Sequence, residues 1–240
     1  MGEARNAIEF YEQALTVSRE LGDRQGEGNA LGGIGFAYWA LGEARMAIDL
    51  CGQHLEIVRE IGDRRGEGDA LGSMGLAYWT LSEARMAIEF YEQQLAIVRE
   101  IGDLRGEGNA LGNMGLAYAD LGEAHKAIEF HEQALVISRK IGDRRSEGQD
   151  LGNVGDAYQA LGEARKAIGF NQLYLEIARE ISDRLGEGIA LFNMAGSLRE
   201  IGESADAAAK LQDALTIFTE IESPHADKAR AELEQMRQES

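Results

Sequence analysis

From Asp103 to Gly142 the apolar residues fall into two runs of helical period. Leu111, Met114, Tyr118 and Leu121 stand at i, i+3, i+7 and i+10, which predicts a helix ending near Gly122. After it Ala124, Ala127, Ile128, His131, Ala134, Leu135 and Ile141 keep helical spacing, while Phe130 and Ile137 add a second apolar stripe. We term these helix A and helix B. A helix with two apolar stripes needs cover on two sides, and a stack of hairpins supplies it: its own helix A on one side, the next repeat on the other. Such repeats cannot be independent domains.

The pattern returns every 40 residues without insertion. Gly-Glu-Ala-Arg stands at 2–5, 42–45 and 162–165, with Ser-Glu-Ala-Arg at 82–85, Gly-Glu-Ala-His at 122–125 and Gly-Glu-Ser-Ala at 202–205. Gly-Asp recurs at 22–23, 62–63, 102–103 and 142–143 and becomes Ser-Asp at 182–183. Glycine suits the left-handed position just past helix B, and the aspartate can accept from the first free amides of the next helix A. The chain therefore divides into a lone helix B at 1–22, A/B repeats at 23–62, 63–102, 103–142, 143–182 and 183–222, and a final helix at 223–240. In that last helix Ser223 suits the N-cap, Pro224 the first turn, and Ala226, Ala229, Leu233 and Met236 form one narrow stripe, as an end cap requires. Helix A is rich in glycine, at roughly 1 kcal/mol per internal glycine relative to alanine. Gly68, Gly72 and Gly75 lie at i, i+4 and i+7, a smooth stripe that predicts close approach of another backbone.

A single proline and 7% aromatic residues favour helices over the turns of an all-β fold, and 44% hydrophobic residues suffice for a sizeable core. Cys51 is the lone cysteine, so neither an intrachain disulfide nor a cysteine-rich zinc site can form. The formal net charge of −18 repels nucleic-acid phosphates and anionic membrane surfaces, so neither is an expected partner. The residues after Met1 run straight into an amphipathic pattern, and no uncharged stretch is long enough to span a bilayer; a cytoplasmic protein is expected.

Catalytic patterns are missing. Gly32-Gly33-Ile34-Gly35 has no strand before it and no Gly-Lys-Ser/Thr after it, as a phosphate loop would need. His54, His125, His131 and His225 lack metal-ligand spacing, so no metal or cofactor is expected. Carboxylates recur with the repeat and read as solvated helix faces rather than an acid/base pair. Cys51 takes a helix B position filled by Tyr91, His131 and Asn171 elsewhere and reads as a packing residue. The chain reads as a non-enzyme.

Within each repeat a small residue is followed by tyrosine three later, glycine four after that and alanine five on, as in Gly115, Tyr118, Gly122 and Ala127, with Ala134 beyond. Gly35, Tyr38, Gly42 and Ala47 repeat the series, as do Gly75, Tyr78, Ser82 and Ala87, and Gly155, Tyr158, Gly162 and Ala167. This resembles the tetratricopeptide repeat. That repeat usually has 34 residues and a proline closing helix B; here helix B runs on to Gly-Asp instead. The longer form is similar to the repeats of the LGN/Pins spindle-orientation adaptors, whose Leu-Gly-Asn stands at 111–113 and 151–153, and to arrays in large bacterial signalling proteins. Leu191-Phe192-Asn193, Leu31-Gly32-Gly33 and Leu71-Gly72-Ser73 depart from it.

The resemblance implies an all-α solenoid, a right-handed superhelix of antiparallel hairpins whose A helices line a concave groove that holds a protein or peptide. Carried over by position, the groove is lined by Asn29, Asp69, Asn109 and Gln149; by Asn113, Asn153 and Asn193; by Phe36, Leu76 and Leu116; and by Trp39 and Trp79. The tryptophans stand where later repeats have Ala119, Gln159 and Arg199, so folding does not demand a large aromatic there, and exposed tryptophan suits an anchor for a partner. Asparagine amides can donate to and accept from a ligand backbone. Relatives that bind acidic peptides use arginines along this face, whereas most positions here are Asn, Asp or Gln; a partner with basic and apolar residues is expected. An alternative is self-assembly, because the lone first helix leaves Ile8, Phe10, Tyr11 and Leu15 with one uncovered side, suited to a homo-oligomer or to a longer array. A third reading makes the chain a regulatory fragment of a larger signalling protein.

Overall fold

A computed structural model of the protein describes residues 2–239, so residues 1 and 240, at the outer ends of the first and last predicted segments, lie outside it. The described regular structure is all-α: α1 (Gly2–Leu21), α2 (Arg24–Ala40), α3 (Ala44–Ile61), α4 (Arg64–Thr80), α5 (Ala84–Glu100), α6 (Leu104–Asp120), α7 (Ala124–Ile141), α8 (Arg144–Ala160), α9 (Ala164–Glu180), α10 (Arg184–Glu200), α11 (Ser204–Glu220) and α12 (His225–Glu239). The even-numbered helices α2 to α10 are the A helices and the odd-numbered ones the B helices. Two compact units result, one ending at Leu121 and the other beginning at Gly122. In the first, each helix from α1 to α6 packs on the next, and the A helices α2, α4 and α6 are also neighbours. In the second, α7 to α12 pack in the same sequential way, with α8 beside α10.

Local chemistry sets the helix ends. Asp23, Asp63, Asp103, Asp143 and Asp183 cap the A helices, each accepting from an amide three residues on at 2.9–3.1 Å, worth about 1 kcal/mol per cap. The residue just past a helix often sits in the left-handed region, at Gly62 with φ 73° after α3 and at Gly42 with φ 81° after α2. At Ser82, Ser182 and Glu222 the same conformation is forced on a residue with a Cβ, at φ 61°, 56° and 53°.

The glycines of helix A serve a different purpose from the close backbone approach predicted. A Cβ at Gly75 would lie 2.4 Å from the Tyr91 ring, one at Gly72 2.5 Å from the Gln94 amide and one at Gly68 3.5 Å from Ile97 and Val98. Large side chains of helix B, rather than another backbone, fill the space left by the missing methyl groups. In the second unit Tyr174 occupies the space at Gly152, Asn171 that at Gly155 and Phe218 that at Gly188. Where an A helix carries Phe192 instead of glycine, the repeat register puts Ala214 opposite it in place of Tyr174. Packing density is kept by matching small with large.

The carboxylates are not all solvated either. Glu67, Glu147 and Glu187 are buried, at 8%, 6% and 8% exposure, and each is held between two arginines. Burial pushes Glu67 and Glu187 up, but the guanidiniums of Arg59 and Arg64, and of Arg179 and Arg184, outweigh it and hold both carboxyls below their usual range.

At the first helix, Ile8 is buried against Ile34 and Ala37 and Leu15 packs partly on them, so these two are covered. Phe10 is 71% exposed and Tyr11 41%. Phe90 and Phe170, at the place of Phe10 in later repeats, stack on Tyr78 and Tyr158 of their own helix A at 5.1 and 5.4 Å; α1 has no such helix within the described residues. At the other end Ala229, Leu233 and Met236 of α12 are buried in one cluster with Leu211 and Phe218 of α11, and the Ser223 hydroxyl accepts from the His225 amide at 3.3 Å.

Candidate functional site

In the first unit the face shared by α2, α4 and α6 gathers the predicted aromatic and apolar residues. Phe36 is 53% exposed, its ring 5.2 Å from that of Trp39. Trp39 is half-buried and donates its indole N–H to the Thr80 hydroxyl at 2.9 Å; the half-buried Trp79 donates to the Asp120 carboxylate at 2.5 Å. Each tryptophan thus ties the C-terminal turn of its own A helix to that of the next and keeps part of its ring open. Leu76 of α4 and Asn113 and Leu116 of α6 are half-buried as well. Asn29, Asp69 and Asn109 are exposed in the earlier turns of the same helices, and Asn29 accepts from Gln25 at 3.3 Å. Thr80 and Asp120 escaped the sequence reading; the signal was present as their position one residue beyond the tryptophan site in the following repeat. Tyr11 reaches over from α1, its ring 2.5 Å from where a Gly33 Cβ would be, so it closes this face at the place where Asn113 stands in α6.

In the second unit Gln149 is exposed and Asn153 and Asn193 are half-buried. Asn193 donates to Asp156 at 2.6 Å, so its amide already holds a neighbour across α8 and α10. Although Asp156 is open to solvent on one side, the protein around it pushes its carboxyl up to about 6, against the pull of Lys228. Phe192, Asn193, His225 and Lys228 line an open recess, with the Lys228 ammonium 4.8 Å over the Phe192 ring. Lys228 was not anticipated, because α12 lies outside the repeat register; Phe192 had been visible as a break in Leu-Gly-Asn.

Cys51, His54 and His131 are enclosed, whereas His125 and His225 are exposed. Cys51 is 1% exposed and burial pushes its thiol up to about 11. Burial also holds His54 below the usual histidine range. His131 is buried beside Asp150, their ring nitrogen and carboxylate 3.3 Å apart.

The model of the tetratricopeptide repeat matches residues 1–60, 27–100 and 106–180, most of the chain. The chain belongs to the tetratricopeptide repeat family. No curated protein sequence matches it. Among solved structures it is similar to BtubC from P. vanneervenii, with 17% identity, a TM-score of 0.80, and 92% of this chain and 93% of that one covered. A signal transduction ATPase with a tetratricopeptide repeat sensor from Pyrococcus horikoshii is 22% identical at a TM-score of 0.77, over 94% of this chain and 34% of that protein. A Rap protein solved in complex with competence and sporulation factor is 15% identical at a TM-score of 0.69, over 99% and 71% of the two chains. At these identities the tetratricopeptide neighbours share the fold. Among the described residues, no helix is long and apolar enough to cross a membrane.

Proposed function

We propose that the protein is a non-catalytic scaffold that binds a peptide or protein segment with basic and apolar residues on its A-helix face, anchored in the first unit by Phe36, Trp39, Leu76, Trp79 and Leu116. The observation that carries this reading is the open aromatic row. Phe36 leaves half its surface in water, and later repeats have Ala119, Gln159 and Arg199 where the two tryptophans stand, so the repeat does not require a large aromatic there. The burial of the lone thiol and of His54 and His131 supports the absence of turnover. NprR, a solved structure of this fold in complex with its cognate peptide, offers a precedent for the fold holding a peptide. Asn29, Asp69, Asn109 and Asn113 would meet the ligand backbone along the same helices; on α8 and α10 Gln149, Asn153 and Asn193 would do the same for the second unit, Asn193 by exchanging its bond to Asp156.

Selection of a random peptide library on the folded protein tests this. Phe36→Ala is the cleanest counter-variant, since the tryptophans also hold helices together. Loss of an anchor should weaken selected peptides about tenfold or more with the helical circular dichroism unchanged; equal binding by Phe36→Ala and by a Trp39→Ala, Trp79→Ala double variant would refute the site.

A second reading, self-association, has its own support in α1, where Phe10, Val17 and Leu21 are 71%, 52% and 77% exposed. Sedimentation across a concentration series, compared with Phe10→Glu, decides it: a dimer that the variant abolishes is expected on this reading, and a concentration-independent monomer rejects it.

A further inference from the structure

The aromatic row ends in negative potential. The indole contacts to Thr80 and Asp120 bring the C-terminal turns of α2, α4 and α6 together, so three helix ends, each with about half a unit of negative charge, point toward the same strip as Trp39 and Trp79. Asp120 adds a full charge: Trp79 binds its Oδ2, and Oδ1 is left for another donor. Residues 1–121 contain twenty aspartates and glutamates against ten arginines and no lysine, and Arg19, Arg24, Arg59, Arg64, Arg65 and Arg99 are already held in ion pairs. The second unit shows how this chain treats half-buried rings. Lys166 stands 4.8 Å over Tyr158 and Lys228 4.8 Å over Phe192, whereas no such cation covers Phe36, Trp39 or Trp79 among the described residues.

We infer that this strip takes an arginine side chain of the partner, its guanidinium plane stacked on the open indole of Trp79 or Trp39 and one N–H donated to Asp120. Arginine fits better than lysine, because its planar and weakly hydrated cation stacks on an aromatic face while donating in plane to a carboxylate. The aromatic surface by itself would accept any apolar side chain; the carboxylate and the helix ends select a cation. This assignment rests on the reading of the A-helix face as the peptide-binding surface and adds the chemistry of its central contact.

Trp39 and Trp79 are the only tryptophans in the chain, so their fluorescence reports on the strip directly. Peptides enriched from the random library are titrated as selected and with each arginine replaced by citrulline, which keeps the shape and removes the charge, or by lysine. Arginine should be enriched, citrulline should weaken binding about tenfold or more, and lysine should fall between. Asp120→Asn leaves an amide oxygen for the Trp79 indole and removes the charge; it should weaken the arginine peptide and leave the citrulline peptide unchanged. Peptides that require Phe36 but bind equally well with citrulline would overturn the arginine assignment and leave the peptide-binding face standing. A folded protein that enriches no peptide overturns both.

Discussion

Gly75 and Gly169 are both helical glycines, yet replacing them with alanine should have opposite effects. Alanine improves helix propensity at either site by roughly 1 kcal/mol. At Gly75 the new methyl group would sit 2.4 Å from the ring of Tyr91, which is 1% exposed and has nowhere to go, and overpacking of this kind costs about 1–3 kcal/mol. At Gly169 nothing lies within 4 Å. Urea midpoints should therefore fall for Gly75→Ala and rise for Gly169→Ala, and a rise in both would mean that the Tyr91 ring has slack. Cys51 follows the same logic of enclosure. With its thiol pushed up to about 11 by burial, it should resist a disulfide reagent in the folded protein at about pH 8 and react at once in denaturant. The sequence displays such glycines at helical spacing, but the same spacing accommodates a backbone or a ring. Only the partner side chain distinguishes them, and its rotamer leaves no periodic trace.

Between elements, one carboxylate joins three helices. Glu67 in the first turn of α4 receives Arg59 from the last turn of α3 at 2.8 Å and its own neighbour Arg64 at 2.5 Å, and Arg64 in turn pairs with Glu100 at the end of α5. The same chain of contacts links Arg19, Glu27, Arg24 and Glu60, then Arg139, Glu147, Arg144 and Glu180, and finally Arg179, Glu187, Arg184 and Glu220. The repeat that has Leu104 in place of the arginine has Lys140 in place of the last glutamate. Glu67 is acidified in the folded state relative to its ordinary 4.5. Its contribution is therefore complete above about pH 4.5 and is lost as pH falls through the folded value. Glu67→Gln should cost about 1 kcal/mol at neutral pH, since the arginines are half-exposed and water screens the pair. The difference in urea midpoint from wild type should narrow as pH falls below about 4.5; a gap that stays constant down to the lowest pH at which the protein is folded would assign the loss to packing rather than charge. Glu67 and its equivalents recur with the repeat in the sequence, and recurrence alone reads as a solvated face. A charge on an exposed face and a charge clamped between helix ends recur with the same period, so periodicity could not separate them.

At the scale of the molecule, the succession and pairing of helices within each unit was legible, because covering two apolar stripes on every B helix admits few solutions and the Gly-Asp pairs mark where one helix yields to the next. The candidate site was legible only as a face. Asn193 reaches Asp156 and Trp39 reaches Thr80, spacings of 37 and 41 residues that straddle the period and depend on which way a side chain leans. Packing of each helix mainly on its neighbours within a unit also makes a prediction about the spread of damage. Leu233 of α12 is 5% exposed within the cluster that holds Leu211 and Phe218, so Leu233→Ala should cost about 2–4 kcal/mol locally. Nearest-neighbour coupling confines that loss to the interfaces next to it and lets it decay with each further repeat. Hydrogen exchange should then quicken in α12 and α11, less in α10, and not at all in α2 and α3. Uniform acceleration through α2 would instead mean that the chain opens as one cooperative block, and that the capping helix stabilises the aromatic face in the first unit as much as its own neighbours.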